Sequence, residues 1–139
     1  MYLPELLVDL TMHYNALIRS AASQFNLTAS QAFHLVSIPH DGISMSKLAH
    51  RLGLDASTLT RNVQKLEKLE LVKRKHDPYD KRVQKAILTK HGAEITEEIE
   101  DILLQINNSI MDQIDLDTQE NMCDILEKLV WSMGCIREK

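Results

Sequence analysis

Residues 44–66 read SMSKLAHRLGLDASTLTRNVQKL and carry the pattern of two short helices joined by a tight turn. Ser44 is placed to cap the first helix, because its hydroxyl can accept a hydrogen bond from a backbone amide of the first turn. Gly53 can adopt the left-handed conformation that ends a helix, and a single residue separates it from a second capping residue, Asp55. Two helices joined by so short a turn predict a helix-turn-helix.

The second of these helices has two chemically different faces. Leu59, Val63 and Leu66 recur at helical spacing and are expected to face the core. The other face is polar and basic, with the residues Ser57, Thr58, Arg61, Asn62 and Lys65. Helix packing alone would produce the apolar spacing, but it would not require basic residues on the outside. The pattern therefore favours a surface that binds DNA.

A β-hairpin is predicted directly after this helix. Residues 72–75 and 84–88 are candidate strands, and an Asp-Pro turn lies in the polar loop between them. Lys81 and Arg82 lie near the tip, where a projecting guanidinium can enter a minor groove and neutralise phosphates. Asp80 can brace another arginine of the head.

Two further helices are expected before the helix-turn-helix. Apolar residues fall at positions 3, 6, 7, 10, 14, 17, 18 and 21, which predicts a first helix up to about Ser23. Thr28 and Gln31 have the spacing of a capping box, which predicts a second helix that ends before Pro39.

Two more helices are expected after the hairpin. Thr89 is placed to cap a long helix over about residues 90–113, and Asp117 with Glu120 predicts the cap of a final helix. The apolar stripes of the first, fifth and sixth helices extend beyond what the head can cover. We therefore expect a two-fold homodimer, in which a second copy of the chain covers them.

The composition agrees with this architecture. The chain has 139 residues, which corresponds to a single domain, and its four glycines and three prolines are few for a turn-rich β fold. The expected fold class is mainly α with a small β-hairpin wing: a winged helix-turn-helix with six helices. No apolar run is long enough to span a membrane and no export signal is recognisable, so no membrane partner and a cytoplasmic location are expected.

The charge is unevenly distributed along the chain. The net charge is −4, yet residues 44–92 carry twelve lysines and arginines against five acidic residues, which gives this segment +7 and the remainder −11. Because salt screens the distant acidic region, the basic segment can still attract a polyanion. A solvated lysine-rich face would carry the same charge. Charge alone therefore does not distinguish such a face from a DNA-binding surface, and the arrangement of the side chains is needed as well.

Other function classes find little support. The sequence lacks a nucleophile elbow, a glycine-rich phosphate loop and the HExxH motif, so we expect no enzyme and no cofactor. Its six histidines form no HxxxH pair, and no metal site is expected. Cys123 and Cys135 are interpreted as packing residues, with a redox role between protomers as the less favoured alternative. A winged-helix module that binds protein without binding DNA is the alternative function.

Five segments together carry a resemblance to a known family: Ser46-Lys47-Leu48-Ala49, residues 59–67, Val72-Lys73-Arg74, Asp77-Pro78-Tyr79-Asp80-Lys81-Arg82 and Leu88-Thr89-Lys90-His91-Gly92. The chain resembles the MarR family of bacterial transcriptional regulators. The wing pattern Asp-x-x-Asp-x-Arg, followed by Leu-Thr-x-x-Gly, is a fairly specific signature, whereas the helix-turn-helix spacing alone is common.

The resemblance implies a repressor that binds a near-palindromic operator in double-stranded DNA as a homodimer. It implies a DNA-binding head over residues 28–92 and dimerisation helices over residues 1–23 and 93–139. Arg82 would enter the minor groove with Asp80 as its support. The DNA-binding residues carried over are Ser57, Thr58, Arg61, Asn62, Lys65, Arg74, Asp80, Lys81 and Arg82.

Two further expectations concern control and departure from the family. The resemblance implies that a small aromatic or anionic effector releases the DNA. The candidate residues for binding this effector are Met12, His13, Tyr14, Phe33 and His34; core packing is the favoured alternative for these side chains.

Glu70 stands where the family usually has glycine before the first hairpin strand. Either it adopts a left-handed conformation, at a cost of about 1 to 2 kcal/mol, or the chain leaves the helix by a different turn.

Overall fold

A computed structural model describes residues 2–139 and confirms the expected fold class, with six helices and a small antiparallel sheet that forms the wing. The elements, in chain order, are α1 (Leu3–Ser23), α2 (Ala29–Val36), β1 (Ile43–Ser44), α3 (Met45–Leu52), α4 (Ala56–Lys68), β2 (Val72–His76), β3 (Gln84–Leu88), α5 (Lys90–Met111) and α6 (Leu116–Arg137). The chain forms two compact units, one that ends at Leu103 and one that comprises Leu104–Lys139.

The predicted helix starts in the first unit are confirmed. Thr28 and Gln31 form a complete capping box at α2. The Ser44 hydroxyl accepts a hydrogen bond from the Lys47 amide at 3.2 Å, and Gly53 ends α3 at φ 70°. Local hydrogen bonds between residues three positions apart thus set the start of each of these helices.

The predicted start of α6 is wrong. The cap is Asp115 and not Asp117, because the Asp115 carboxylate accepts from both the amide and the hydroxyl of Thr118, at 2.9 and 2.7 Å. The helix accordingly begins at Leu116. The Gln119 side chain fills the turn before α6 by donating to two backbone carbonyls, those of Met111 and Ile114.

The wing is a three-stranded sheet with the order β1-β3-β2. Both pairings are antiparallel, with Val72 opposite Leu88 and Ile43 opposite Ala86. β1 was not predicted, since a strand of two residues shows no alternation of apolar and polar side chains. Through β1 the wing is joined directly to the start of α3.

The core of the first unit lies under the helix-turn-helix. Its largest fully buried side chains come from α2, α3, α4 and α5, and they are Leu35, Leu48, Leu59, Val63, Leu66 and Ile99. The inner face predicted for α4 is thereby confirmed. In the second unit, by contrast, none of the described α6 residues is buried.

The connection between α4 and the wing is held in a left-handed turn. Glu70 has φ 61°, so it adopts the left-handed conformation, and the chain does not leave α4 by a different turn. Its carbonyl accepts a hydrogen bond from the Thr89 hydroxyl at 2.6 Å, and the Leu71 carbonyl accepts from the Thr89 amide at 3.0 Å. The Thr89 hydroxyl also accepts from the Gly92 amide at 2.9 Å and so caps α5 as predicted. The turn before β2 and the start of α5 therefore hold each other in place.

We expect Glu70→Gly to stabilise the protein by about 1 kcal/mol, because glycine relieves the left-handed strain but gains freedom in the unfolded chain. Urea denaturation at a fixed protein concentration measures the change. Lys68→Gly is the matched control, since it places glycine in the right-handed backbone of α4 and is expected to destabilise by about 1 kcal/mol. A loss of stability in Glu70→Gly would contradict the strain assigned to this turn.

Candidate nucleic-acid interface

The start of α4 is fixed by Asp55. Its carboxylate accepts from the Thr58 amide at 2.7 Å and from the Ser57 hydroxyl at 2.9 Å. These bonds, the one from the Thr58 backbone first, lower the pKa of Asp55, since they stabilise the charged carboxylate. Ser57 and Thr58, both predicted to contact DNA, therefore lie in the first turn and are held there by the cap.

The predicted contact residues of α4 do not all share one environment. Ser57, Arg61 and Lys65 are exposed, whereas Thr58 and Asn62 are half-buried. The Asn62 amide nitrogen lies 3.2 Å from Nε2 of His34, so this side chain is turned towards α2. The structure thus brings three cationic or hydroxyl side chains to the outer surface of α4 and places Asn62 at its edge.

A compact loop forms the tip of the wing. The Asp77 carboxylate accepts from the amides of Tyr79 and Asp80, at 2.8 and 3.1 Å, and the Val83 amide donates to the Asp80 carbonyl at 3.0 Å. Tyr79 is 97% exposed and was not among the predicted contact residues; its position between Asp77 and Asp80 was the available signal.

Arg82 projects from this tip, held by Asp80. Its Nε and Nη2 donate to the two carboxylate oxygens of Asp80 at 3.1 and 3.2 Å, and the side chain is still 90% exposed. The bonds from Arg82 lower the pKa of Asp80. In this structure Asp80 therefore braces Arg82 itself, and Lys81 is exposed beside it.

Arg74 lies apart from the tip. Its Nε and Nη2 each lie 3.0 Å from Oε1 of Glu67, and only 23% of its side chain is exposed. The ion pair joins the last turn of α4 to β2. Glu67 was not predicted to have a role, and no local pattern reveals it, because the pairing depends on how the strand packs against the helix.

A cleft of about 640 Å³ opens between α1, α2 and α3 in the same unit. Two predicted effector residues, Phe33 and His34, line it together with Asn15, Arg19, Thr28, Ala29, Ser30, Ser37, Arg51, Leu52 and Leu54. Met12, His13 and Tyr14 lie on α1 outside this lining, and all three are exposed. The charged side chains of the cleft are Arg19 and Arg51, and neither was among the predicted effector residues.

Two further observations concern other kinds of site. Cys123 and Cys135 are free thiols, the first exposed and the second half-buried. Residues 2–139 contain no group of three or more side chains placed to hold a metal ion, and none of the helices in this range has the length and apolar character required to cross a bilayer.

Comparison with known proteins agrees with this geometry. The sequence profile of the MarR family matches residues 27–83. The HTH-type transcriptional regulator SarZ of Staphylococcus epidermidis is 31% identical over 107 residues, which cover 76% of this chain and 69% of SarZ.

Solved structures share the fold over nearly the whole chain. A mutant of E. coli MarR complexed with operator DNA is 26% identical and superposes with a TM-score of 0.77, covering 91% of this chain and 92% of that chain. The regulator SlyA superposes with a TM-score of 0.86 over 99% and 98% of the two chains, and at 17% identity it shows the fold alone.

Family membership also bears on the expected function class. MarR-family regulators are non-enzymatic, so the expectation that this chain is not an enzyme is confirmed. From its profile match, its identity to SarZ and its winged helix-turn-helix, the chain belongs to the MarR family of transcriptional regulators.

Proposed function

We propose that this regulator binds a near-palindromic operator in double-stranded DNA as a homodimer, in the cytoplasm, and represses transcription. In this proposal α4 enters the major groove and Arg82 enters the adjacent minor groove. The observation that carries it is the pair of hydrogen bonds from Arg82 to the Asp80 carboxylate, which hold a side chain that is 90% exposed at the tip of the wing. An unsupported arginine of that exposure would sample many rotamers and lose more entropy on binding.

Charge and arrangement support the same proposal. The segment 44–92 carries +7, and Arg61 and Lys65 are exposed on α4 while Lys81 and Arg82 are exposed on the wing. Cations that approach the phosphates release condensed counterions, so binding is expected to weaken steeply with salt. The relative that is complexed with operator DNA, E. coli MarR, has the same fold as this chain.

The homodimer is proposed from exposed apolar side chains. On α1 they are Leu3, Leu6, Val8, Leu10, Met12, Tyr14 and Leu17, and on α6 they are Leu116, Ile125, Leu126, Val130, Trp131, Met133 and Ile136. Surfaces of this kind are costly in water, and a second copy of the chain can cover both helices. Two heads related by a two-fold axis would read half-sites about 10 base pairs apart or a multiple of that.

Control by an effector is the remaining part of the proposal. The cleft beside His34 and Phe33 is large enough for a small aromatic molecule, and Arg19 and Arg51 supply positive charge for an anionic one. Occupation of this cleft would release the DNA. The cleft lining does not include Met12, His13 or Tyr14, so these residues could contact an effector only outside the cleft.

Selection of bound sites from random duplexes tests the proposal. We expect two inverted half-sites with centres about 10 base pairs apart, and affinity for the selected duplex that falls steeply as salt rises.

Arg61→Ala is expected to change the base preference as well as the affinity, because a bidentate base contact discriminates by about 1 to 3 kcal/mol. A uniform loss across operator variants would make Arg61 a phosphate contact. Absence of any salt-dependent DNA binding would leave the protein-interaction module as the function.

A further inference from the structure

The imidazole of His34 is buried in the wall of the cleft and is hydrogen-bonded at both nitrogens. The residue is only 2% exposed. Its Nδ1 lies 2.6 Å from the carbonyl oxygen of Ser30, one turn earlier in α2, and its Nε2 lies 3.2 Å from Nδ2 of Asn62 on α4. The second bond joins positions 28 residues apart, and it connects the helix that lines the cleft to the helix proposed to enter the major groove.

The two contacts fix the protonation of the ring. A carbonyl oxygen can only accept, so Nδ1 carries the proton. In the neutral ring Nε2 is then an acceptor, and the Asn62 amide must present its nitrogen and not its oxygen. Burial, partly opposed by the Ser30 bond, lowers the pKa of His34, which favours this neutral form.

We propose that His34 is a positioning residue for α4, and that its bond to the Asn62 amide fixes the rotation of α4 about its own axis and thereby the base selectivity of the protein. This inference rests on the DNA binding proposed above. It also changes the role expected for Asn62, from a base contact to the anchor of the helix that carries the base contacts.

The reason lies in what else holds α4. The Glu67–Arg74 ion pair ties the last turn of α4 to β2. The buried contacts of the helix are the apolar side chains Leu59, Val63 and Leu66, and apolar packing is not directional. A hydrogen bond from the edge of the helix to a buried ring is directional. Because Arg61 and Lys65 extend from the outer face, a small rotation of the helix displaces their charged ends much more than it displaces the core.

Protonation of His34 is expected to disturb this arrangement. It would place an N–H on Nε2 opposite the N–H of the Asn62 amide, so the amide would have to reverse. The charged side chains that line the cleft beside the ring are Arg19 of α1 and Arg51 of α3, both cations, and neither can stabilise an imidazolium. Because the pKa of His34 is lowered, the neutral arrangement persists at neutral pH and is lost only under more acidic conditions.

The test compares affinity for the selected duplex with affinity for the same duplex carrying one changed base pair in a half-site, for the 139-residue protein. In His34→Leu we expect the ratio of the two dissociation constants to fall about fivefold, as a partial loss of one bidentate base contact on the displaced helix would give. His34→Gln restores an acceptor for Asn62 and should keep the ratio within about twofold. The double variant His34→Leu/Asn62→Ala should lose no more selectivity than His34→Leu alone.

A second measurement does not depend on DNA. Long-range ¹H–¹⁵N spectra of the free protein should show His34 with Nδ1 protonated and Nε2 unprotonated. The opposite tautomer would overturn the proposal, as would unchanged selectivity in a folded His34→Leu protein that still binds the selected duplex. Absence of DNA binding by the wild-type protein would overturn the proposed function and this inference together, whereas unchanged selectivity overturns the inference alone.

Discussion

Replacing Gly92 with alanine is expected to lower the free energy of unfolding by about 3 kcal/mol or more, through forced overpacking. Gly92 lies in the first turn of α5, against the backbone of Leu71, and a Cβ there would overlap the Leu71 carbonyl oxygen and lie 2.8 Å from its carbon. That oxygen cannot retreat freely, because it accepts the hydrogen bond from the Thr89 amide. Since the obstacle is backbone and not a flexible side chain, the turn before β2 or the start of α5 must shift.

Urea denaturation of Gly92→Ala and wild type at equal protein concentration measures this loss. His91→Ala is the matched control, because it places alanine at an exposed neighbouring position in the same first turn of α5. There alanine is expected to change the free energy of unfolding by less than about 1 kcal/mol. A Gly92→Ala protein as stable as wild type would show that α5 does not approach Leu71 this closely.

Arg82→Ala is expected to weaken binding to the selected duplex by about tenfold or more, since one minor-groove or phosphate contact contributes about 1 to 3 kcal/mol. The side chain is 90% exposed, so its removal should leave the unfolding transition unchanged. Fluorescence anisotropy over a series of salt concentrations should also show a smaller salt slope, by about one unit for each wing that contacts the DNA.

Two variants separate the contact from its support and from the net charge. Asp80→Ala leaves Arg82 charged but without its fork, and a smaller loss of affinity is expected than for Arg82→Ala. Lys128→Ala removes the same charge from an exposed position on α6 and should leave affinity within about twofold. Equal losses in Arg82→Ala and Lys128→Ala would reduce the wing to a contribution from net charge.

Features set by neighbours in sequence could be predicted well. The caps at Thr28, Ser44 and Asp55 depend on side chains that reach an amide three residues on, and each was recognisable from its residue type and the apolar pattern that follows. The wrong cap predicted for α6 also concerns a local hydrogen bond of this kind. Asp115 and Asp117 are both good capping residues, and the sequence does not say which one bonds to the chain ahead.

Side-chain positions that depend on packing between residues distant in sequence could not be predicted. Ser57, Arg61 and Lys65 could be assigned to the outer face from helical spacing alone, and they are exposed. Asn62 and Arg74 have equally polar side chains, but one turns to His34 and the other to Glu67. Which way such a polar side chain turns depends on what the neighbouring element offers it, and periodicity does not contain that information.

Ser44 ends β1, where it pairs with Lys85, and in the same position its hydroxyl caps α3. This single residue therefore stabilises both the strand β1 and the start of the helix α3. A replacement must keep an extended backbone for the strand and a short oxygen-bearing side chain for the helix, which only threonine, aspartate and asparagine can approach. We expect this site to drift far less over evolutionary time than its solvent exposure suggests, and substitutions there to impair the wing and the helix together.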